Sequence, residues 1–171
     1  MINTSRLLVT LALVLSFSFV GCSSNKKNSG DSSSSVEDVV DQGSEAVNFE
    51  VNGSSDSGTA GGLATVFFGF DSSSLGSSTR MNLDANVELM KANPDVSVQI
   101  EGHCDERGGI EYNLALGERR ARAVKNYMVS MGISSSRITT ISFGKEKPVS
   151  FGHDESSWSQ NRRATFVVTS K

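Results

Sequence analysis

Apolar and polar positions follow two different periods along this chain, and the change from one to the other marks its centre. Val96, Val98 and Ile100 alternate with polar neighbours and lead to Gly102-His103, which predicts a strand. A polar loop follows from Cys104 to Glu111. Apolar residues then recur in steps of three and four, at Leu116, Val124, Tyr127 and Met131, which predicts a helix. Asn113 is a good N-cap type for its start, and Gly132 ends it. Upstream, Val66-Phe67-Phe68 reads as a buried first strand, and Phe70 to Ser74 as a turn in which Asp71 can bond backbone amides. Ser77 or Ser78 can cap a helix with the stripe Leu83, Val87 and Met90, which Pro94 stops. Downstream, Arg137 to Phe143 predicts a third strand, Gly144 to Gln160 a long connection, and Arg163 to Thr169 a last strand. The order β-α-β-α-β-β predicts an α+β fold. It is a two-layer sandwich with helices on one face of a mixed sheet and right-handed crossovers.

The first 62 residues are different material. Leu7 to Val20 is almost wholly apolar and follows Arg6, the form of a secretory signal peptide over residues 1–21. The run is too short to prefer spanning a bilayer. It ends in Phe19-Val20-Gly21-Cys22, which looks like a bacterial lipobox, although Phe19 stands where Leu is usual. Cleavage there would leave Cys22 as a lipidated N-terminus, and Ser23 after it implies sorting to the outer membrane. Residues 23–62 are rich in Ser and Gly and carry seven acids against two lysines. With Cys22 they read as a flexible, disordered linker, leaving residues 63–171 as one folded domain. That domain has 13 Lys and Arg against 12 Asp and Glu, so no basic surplus points to nucleic acid. With Cys22 lipidated, Cys104 has no partner within the chain and reads as a small buried residue.

Steps along the second helical stripe also land on Arg120. A charge on a core-facing stripe needs a partner, because an isolated buried charge is too costly to keep ionised. Asp105 and Glu106, in the loop leading into the helix, are the nearest candidates. Two readings stay open: a structural ion pair, or a cation and an anion both waiting for a zwitterionic ligand. Gly117 within the helix marks a close approach to its backbone, by a ligand or by the sheet.

The run GHCDERGGIEYNLALGERRARAV resembles the signature of OmpA-like domains, which bind peptidoglycan without cleaving it. The resemblance extends from Val66-Phe67-Phe68-Gly69-Phe70-Asp71 through Gly144-Lys145-Glu146-Lys147-Pro148 to Asn161-Arg162-Arg163-Ala164, covering about residues 63–171. It is similar to the lipoprotein branch of that family, although Cys104 stands where the family usually has Thr or Ala. The resemblance implies an OmpA-like fold and binding to the diaminopimelate of peptidoglycan stem peptides, with no cofactor. Asp105 would take the ammonium of that residue and Arg120 its carboxylate. Asn113 would stand at the mouth, and Phe70 and Asp71 would close the pocket; Asn161 and Arg163 match the closing element. It further implies an outer-membrane lipoprotein, palmitoylated at Cys22, that faces the periplasm and works with TolB and other Tol proteins in envelope integrity and cell division. Contacts to TolB would lie between Glu146 and Trp158 and around Arg107.

Other classes are weaker. Consecutive strand residues point to opposite faces, so His103 and Cys104 cannot form a hydrolase pair. Only two His occur, 50 positions apart, with no HExxH or paired-Cys spacing for a metal. Glu101 and Asp105 as muramidase carboxylates are singled out by nothing in the sequence. A pure protein-interaction module is the remaining alternative.

Overall fold

The computed structural model describes residues 47–171. The expected signal peptide, Cys22 and the part of the expected linker up to residue 46 lie outside the described residues. The elements are β1 (Val66–Phe67), α1 (Ser77–Ala92), β2 (Ser97–His103), α2 (Ile110–Ser130), β3 (Ile138–Gly144), α3 (Glu155–Asn161) and β4 (Arg163–Ser170). The sheet order is β1-β4-β2-β3, with β2 and β3 parallel and β4 antiparallel to both its neighbours. This is the expected α+β sandwich on a mixed sheet. The short α3 is additional to the expected elements; it interrupts the stretch that reads as one long connection. Asp154 caps it, accepting the amide of Ser157 at 2.9 Å.

Strand alternation turns Val98 and Ile100 of β2, Ile138 of β3, and Ala164, Phe166 and Val168 of β4 onto the helical layer. Leu83, Val87 and Met90 of α1 meet them, with Ala121, Val124 and Met128 of α2, all essentially without exposure. The α2 stripe differs from the apolar count. Its buried positions are Asn113, Leu116, Gly117, Arg120, Ala121, Val124 and Met128. Tyr127 sits at the margin and donates its hydroxyl to Asp84, and Met131 is exposed. The buried face includes small and polar residues that an apolar pattern skips.

Both helix starts also differ. α2 begins at Ile110 with Gly109 as N-cap, and α1 begins after Gly76; neither cap makes a side-chain bond. Asn113 is therefore no cap. It points inward and donates Nδ2 to the carbonyls of Arg107 (2.8 Å) and Gly109 (3.1 Å).

The two glycines where β2 meets α2 explain the close approach. A Cβ on Gly102 would overlap the backbone carbonyl of Gly117, and one on Gly117 would overlap Ser142 Oγ. Backbone cannot step aside as a flexible side chain can. Gly102→Ala is expected to destabilise the domain by about 3 kcal/mol or more, since overpacking of this kind costs roughly 1–3 kcal/mol even where side chains yield. Urea unfolding measures it, and an unchanged midpoint would show that α2 has room to lift.

Residues 47–62 belong to the domain, which corrects the boundary at residue 62. Phe49 and Ala60 are buried and bridge each other. Asn52 donates its amide to Val168 O (2.8 Å), Ser55 to Phe166 O (2.9 Å), and Val168 returns one to Gly53 O (3.0 Å). The segment thus extends the sheet along the edge of β4 that the two-residue β1 leaves uncovered. Ser and Gly here serve packing: Gly61, at φ +62, lies against the Phe49 ring with no space for a Cβ. Phe49→Ala is expected to cost about 3 kcal/mol, as for other buried Phe residues. A denaturant midpoint equal to wild type would restore the segment to the linker.

Candidate functional site

The site lies where β2 ends and α2 begins. β2 delivers Cys104 and Asp105 to the C-terminal end of the sheet. α2 brings Tyr112, Asn113, Leu116 and Arg120 across from them. The turn after β1 supplies Phe70 and Asp71, and Arg162 enters from the start of β4. These residues, with Arg107 and Gly108, line a cavity of about 200 Å³ that opens to solvent. Typical small-molecule sites hold 300–1,000 Å³, so this one suits the head of a single amino acid. All five residues singled out in the sequence, Phe70, Asp71, Asp105, Asn113 and Arg120, line it.

Arg120 is fully buried. Its Nε donates to Ser72 O (2.8 Å), Nη1 to His103 O (2.7 Å) and more distantly to Cys104 Sγ (3.5 Å), and Nη2 to Gly69 O (3.0 Å). The guanidinium lies 5.1 Å over the Phe68 ring. A guanidinium carries five N–H groups; these four contacts leave one on Nη2 for the cavity. Burial pushes the Arg120 pKa down, and the charge of Asp105 opposes that.

Asp105 is also buried, but it does not bond Arg120. Its Oδ2 accepts Arg107 Nη2 at 2.6 Å and Arg162 Nη1 at 3.4 Å, and its Oδ1 accepts the Arg107 amide at 3.1 Å. Burial alone would raise its pKa, but the bonds from Arg107 and Arg162 outweigh it and hold the carboxyl below its usual range. The direct ion pair between Asp105 and Arg120 is therefore absent. Arg120 is spent on three carbonyls, two from the turn after β1 and one from the end of β2, and the acid finds cations nearer to hand. What the fold does bring together is Asp105 and Arg120, unbonded to each other, around a shared opening.

Arg107 and Arg162 are the residues that sequence reasoning missed here. Arg107 lies flat between Phe70 and Trp158, 4.1 Å from each ring centre. Glu106 places that Trp: its carboxylate accepts Trp158 Nε1 (2.9 Å) and pairs with His153 Nδ1 (2.7 Å). The signal for Arg162 is its place in the Asn161-Arg162-Arg163 run; nothing distinguishes it from Arg163 there. Asp71, at φ +50, accepts the Tyr112 hydroxyl rather than the backbone amides expected of it. Asn161 bonds the Val149 and Ser150 backbone, and Arg163 pairs with Asp56 at 2.8 Å; both hold the scaffold.

His103 and Cys104 do point apart. His103 is buried against Phe143, 5.7 Å between ring centres, and its Nε2 lies 3.5 Å from the Glu101 carboxylate, too poorly aligned for a hydrogen bond. Cys104 faces the cavity and donates to Asn113 O at 3.3 Å. Burial raises its pKa, so the thiol stays protonated. Among the described residues no three His, Cys, Asp or Glu side chains are placed to hold a metal ion.

The OmpA family model matches residues 67–162, a span that contains the whole of this cavity. The chain belongs to the OmpA family. Over nearly its whole length it is similar to peptidoglycan-associated lipoproteins. One from Rhizobium meliloti (strain 1021) is 41% identical over 160 residues, which is 94% of this chain and 86% of the relative. One from Pseudomonas aeruginosa is 43% identical over 154 residues, 90% of each chain. The crystal structure of the peptidoglycan-associated lipoprotein from Burkholderia pseudomallei is 44% identical, with a TM-score of 0.59, covering 61% of this chain and 88% of that one.

Proposed function

We propose that this chain is an outer-membrane lipoprotein that binds peptidoglycan without cleaving it, through the diaminopimelate of the stem peptide. The observation that carries this is the cavity in which Asp105 and Arg120 share an opening without bonding each other. An α-amino-acid head presents an ammonium and a carboxylate on one carbon. The ammonium matches Asp105; the carboxylate matches the remaining N–H and the charge of Arg120. Phe70 and Tyr112, both exposed at the rim, supply flat apolar surface to the aliphatic chain behind the head. Names of the relatives support the wall as target. No step of bond cleavage is assigned. Cys104 is a protonated thiol, and the two acids of the cavity are engaged, Asp71 by Tyr112 and Asp105 by Arg107.

Cys22 would carry the acyl anchor, and the domain would hold the wall, so that membrane and wall are tied by one chain. A modest affinity suffices for such a tether, because attachment raises the effective concentration of the site. TolB and the other Tol proteins are the protein partners in this reading, which gives the chain a part in envelope integrity and cell division. Ile110, Phe70 and Tyr112 around the mouth are exposed apolar residues that TolB could cover, so wall and TolB would compete. Co-sedimentation with purified sacculi tests the reading. The protein is expected in the pellet and is released by excess diaminopimelate-containing muropeptide. Retention in the supernatant, or any loss of murein, would contradict it.

A further inference from the structure

We propose that Arg107 is a built-in competitor for the ammonium subsite and sets the preference of the cavity for a zwitterionic head over a lone amine. This rests on the reading of the cavity given above. Three observations carry it.

Asp105 is already occupied. Arg107 Nη2 sits 2.6 Å from Oδ2, where a ligand ammonium would go. Next, Arg107 is held there in a way that lets it leave. Its guanidinium is sandwiched between the faces of Phe70 and Trp158, 4.1 Å from each. Ring faces attract a cation without fixing its direction. Among the described residues its Nε is buried with no partner, and the one other carboxylate paired with it, Glu155, is 3.8 Å away. The side chain is about a third exposed (31%), so water can receive it. Finally, three guanidiniums, Arg107, Arg120 and Arg162, line the cavity against two carboxylates, Asp71 and Asp105; a third acid, Glu155, pairs with Arg162 from outside the lining.

The consequence is an exchange. A lone amine that enters replaces one cation by another at the same carboxylate and gains little. It also meets an excess of positive charge. A zwitterion brings a carboxylate as well, which that excess attracts and which the free N–H of Arg120 can bond. The carboxylate therefore decides whether Arg107 is displaced. Removing Arg107 leaves Oδ2 with only the longer contact from Arg162 (3.4 Å) and takes away one repelling charge, so a lone amine should then bind.

Calorimetric titration of the full chain tests this with two muropeptides that differ only at the third stem residue. One carries meso-diaminopimelate; the other carries lysine, which lacks the terminal carboxylate. In Arg107→Met the affinity for the lysine peptide is expected to rise roughly tenfold or more, and the preference for diaminopimelate to fall by a similar factor, the scale of one charge-assisted bond. Arg107→Lys keeps a cation beside Asp105 and should keep most of the preference; it carries the test if the Met variant fails to fold. An unchanged preference in Arg107→Met, with diaminopimelate still bound, overturns the role of Arg107 and leaves the cavity reading intact. Loss of the preference in Arg107→Lys overturns that role too. Failure of wild type to bind either peptide overturns both.

Discussion

Asp105→Ala is expected to weaken binding of a diaminopimelate-containing muropeptide by roughly thirtyfold or more. Removing one member of a buried charge pair at a binding site typically costs about 2–5 kcal/mol, and each 1.4 kcal/mol is tenfold. The alanine also leaves Arg107 and Arg162 with only the exposed Glu155 as a common anion, so folding is to be checked alongside. Asp105→Asn separates the two effects. It keeps the side-chain volume and an acceptor for the Arg107 amide while removing the charge, and is expected to fold and still not bind. The pH dependence follows from the same carboxylate. Its folded pKa lies below the unfolded value of 3.8, so its contribution to stability is complete above about that pH. As pH falls through the folded pKa, the proton is taken up and the contribution is lost. The difference between wild type and Asp105→Asn should therefore be full above about pH 3.8 and shrink as pH falls below it, vanishing once the folded pKa is passed. A difference that persists unchanged in strong acid would show that the charge is not what stabilises the loop.

The second large effect is on the fold. Arg120→Ala leaves Ser72 O, His103 O and Gly69 O without their charged donor. Three such bonds at roughly 1.5–3 kcal/mol each suggest a loss of about 4 kcal/mol or more, only partly offset by water entering from the cavity. Most domains have 5–15 kcal/mol in all, so the variant is expected to be marginal at room temperature. Arg120→Lys is expected to fall between, because one ammonium cannot reach three carbonyls that a planar fork meets from different sides. It should fold better than the alanine variant and still bind the muropeptide poorly. Denaturant unfolding read beside titration gives both numbers. A variant with wild-type stability would mean that the three carbonyls find other donors.

Much of this is legible in the residues. The pattern of apolar and polar positions identifies four strands and two helices, because those elements turn their apolar side chains to a shared core. The segment 47–62 escapes because its composition is that of a linker; backbone pairing to Phe166 and Val168, and the burial of one Phe, hold it. α3 escapes because its seven residues show no apolar stripe, and its cap at Asp154 has the composition of a loop. At the site, helical spacing turns Arg120 inward, and that much is correct. Its partners are not readable. Carbonyls carry no sequence signal, and Arg162 reaches Asp105 across 57 positions of chain. The short-range rule that pairs Asp105 with Arg120 loses to Arg107, two residues from the acid and stacked between two rings.

The most direct measurement is a ¹⁵N NMR titration of the protein with a diaminopimelate-containing muropeptide. Saturable shifts are expected at the amides of Phe70, Asp105, Arg107 and Asn113 and at the Arg120 Nε–H. Saturation with those signals unmoved, and shifts gathered elsewhere on the domain, would contradict the cavity as the place where the wall is held.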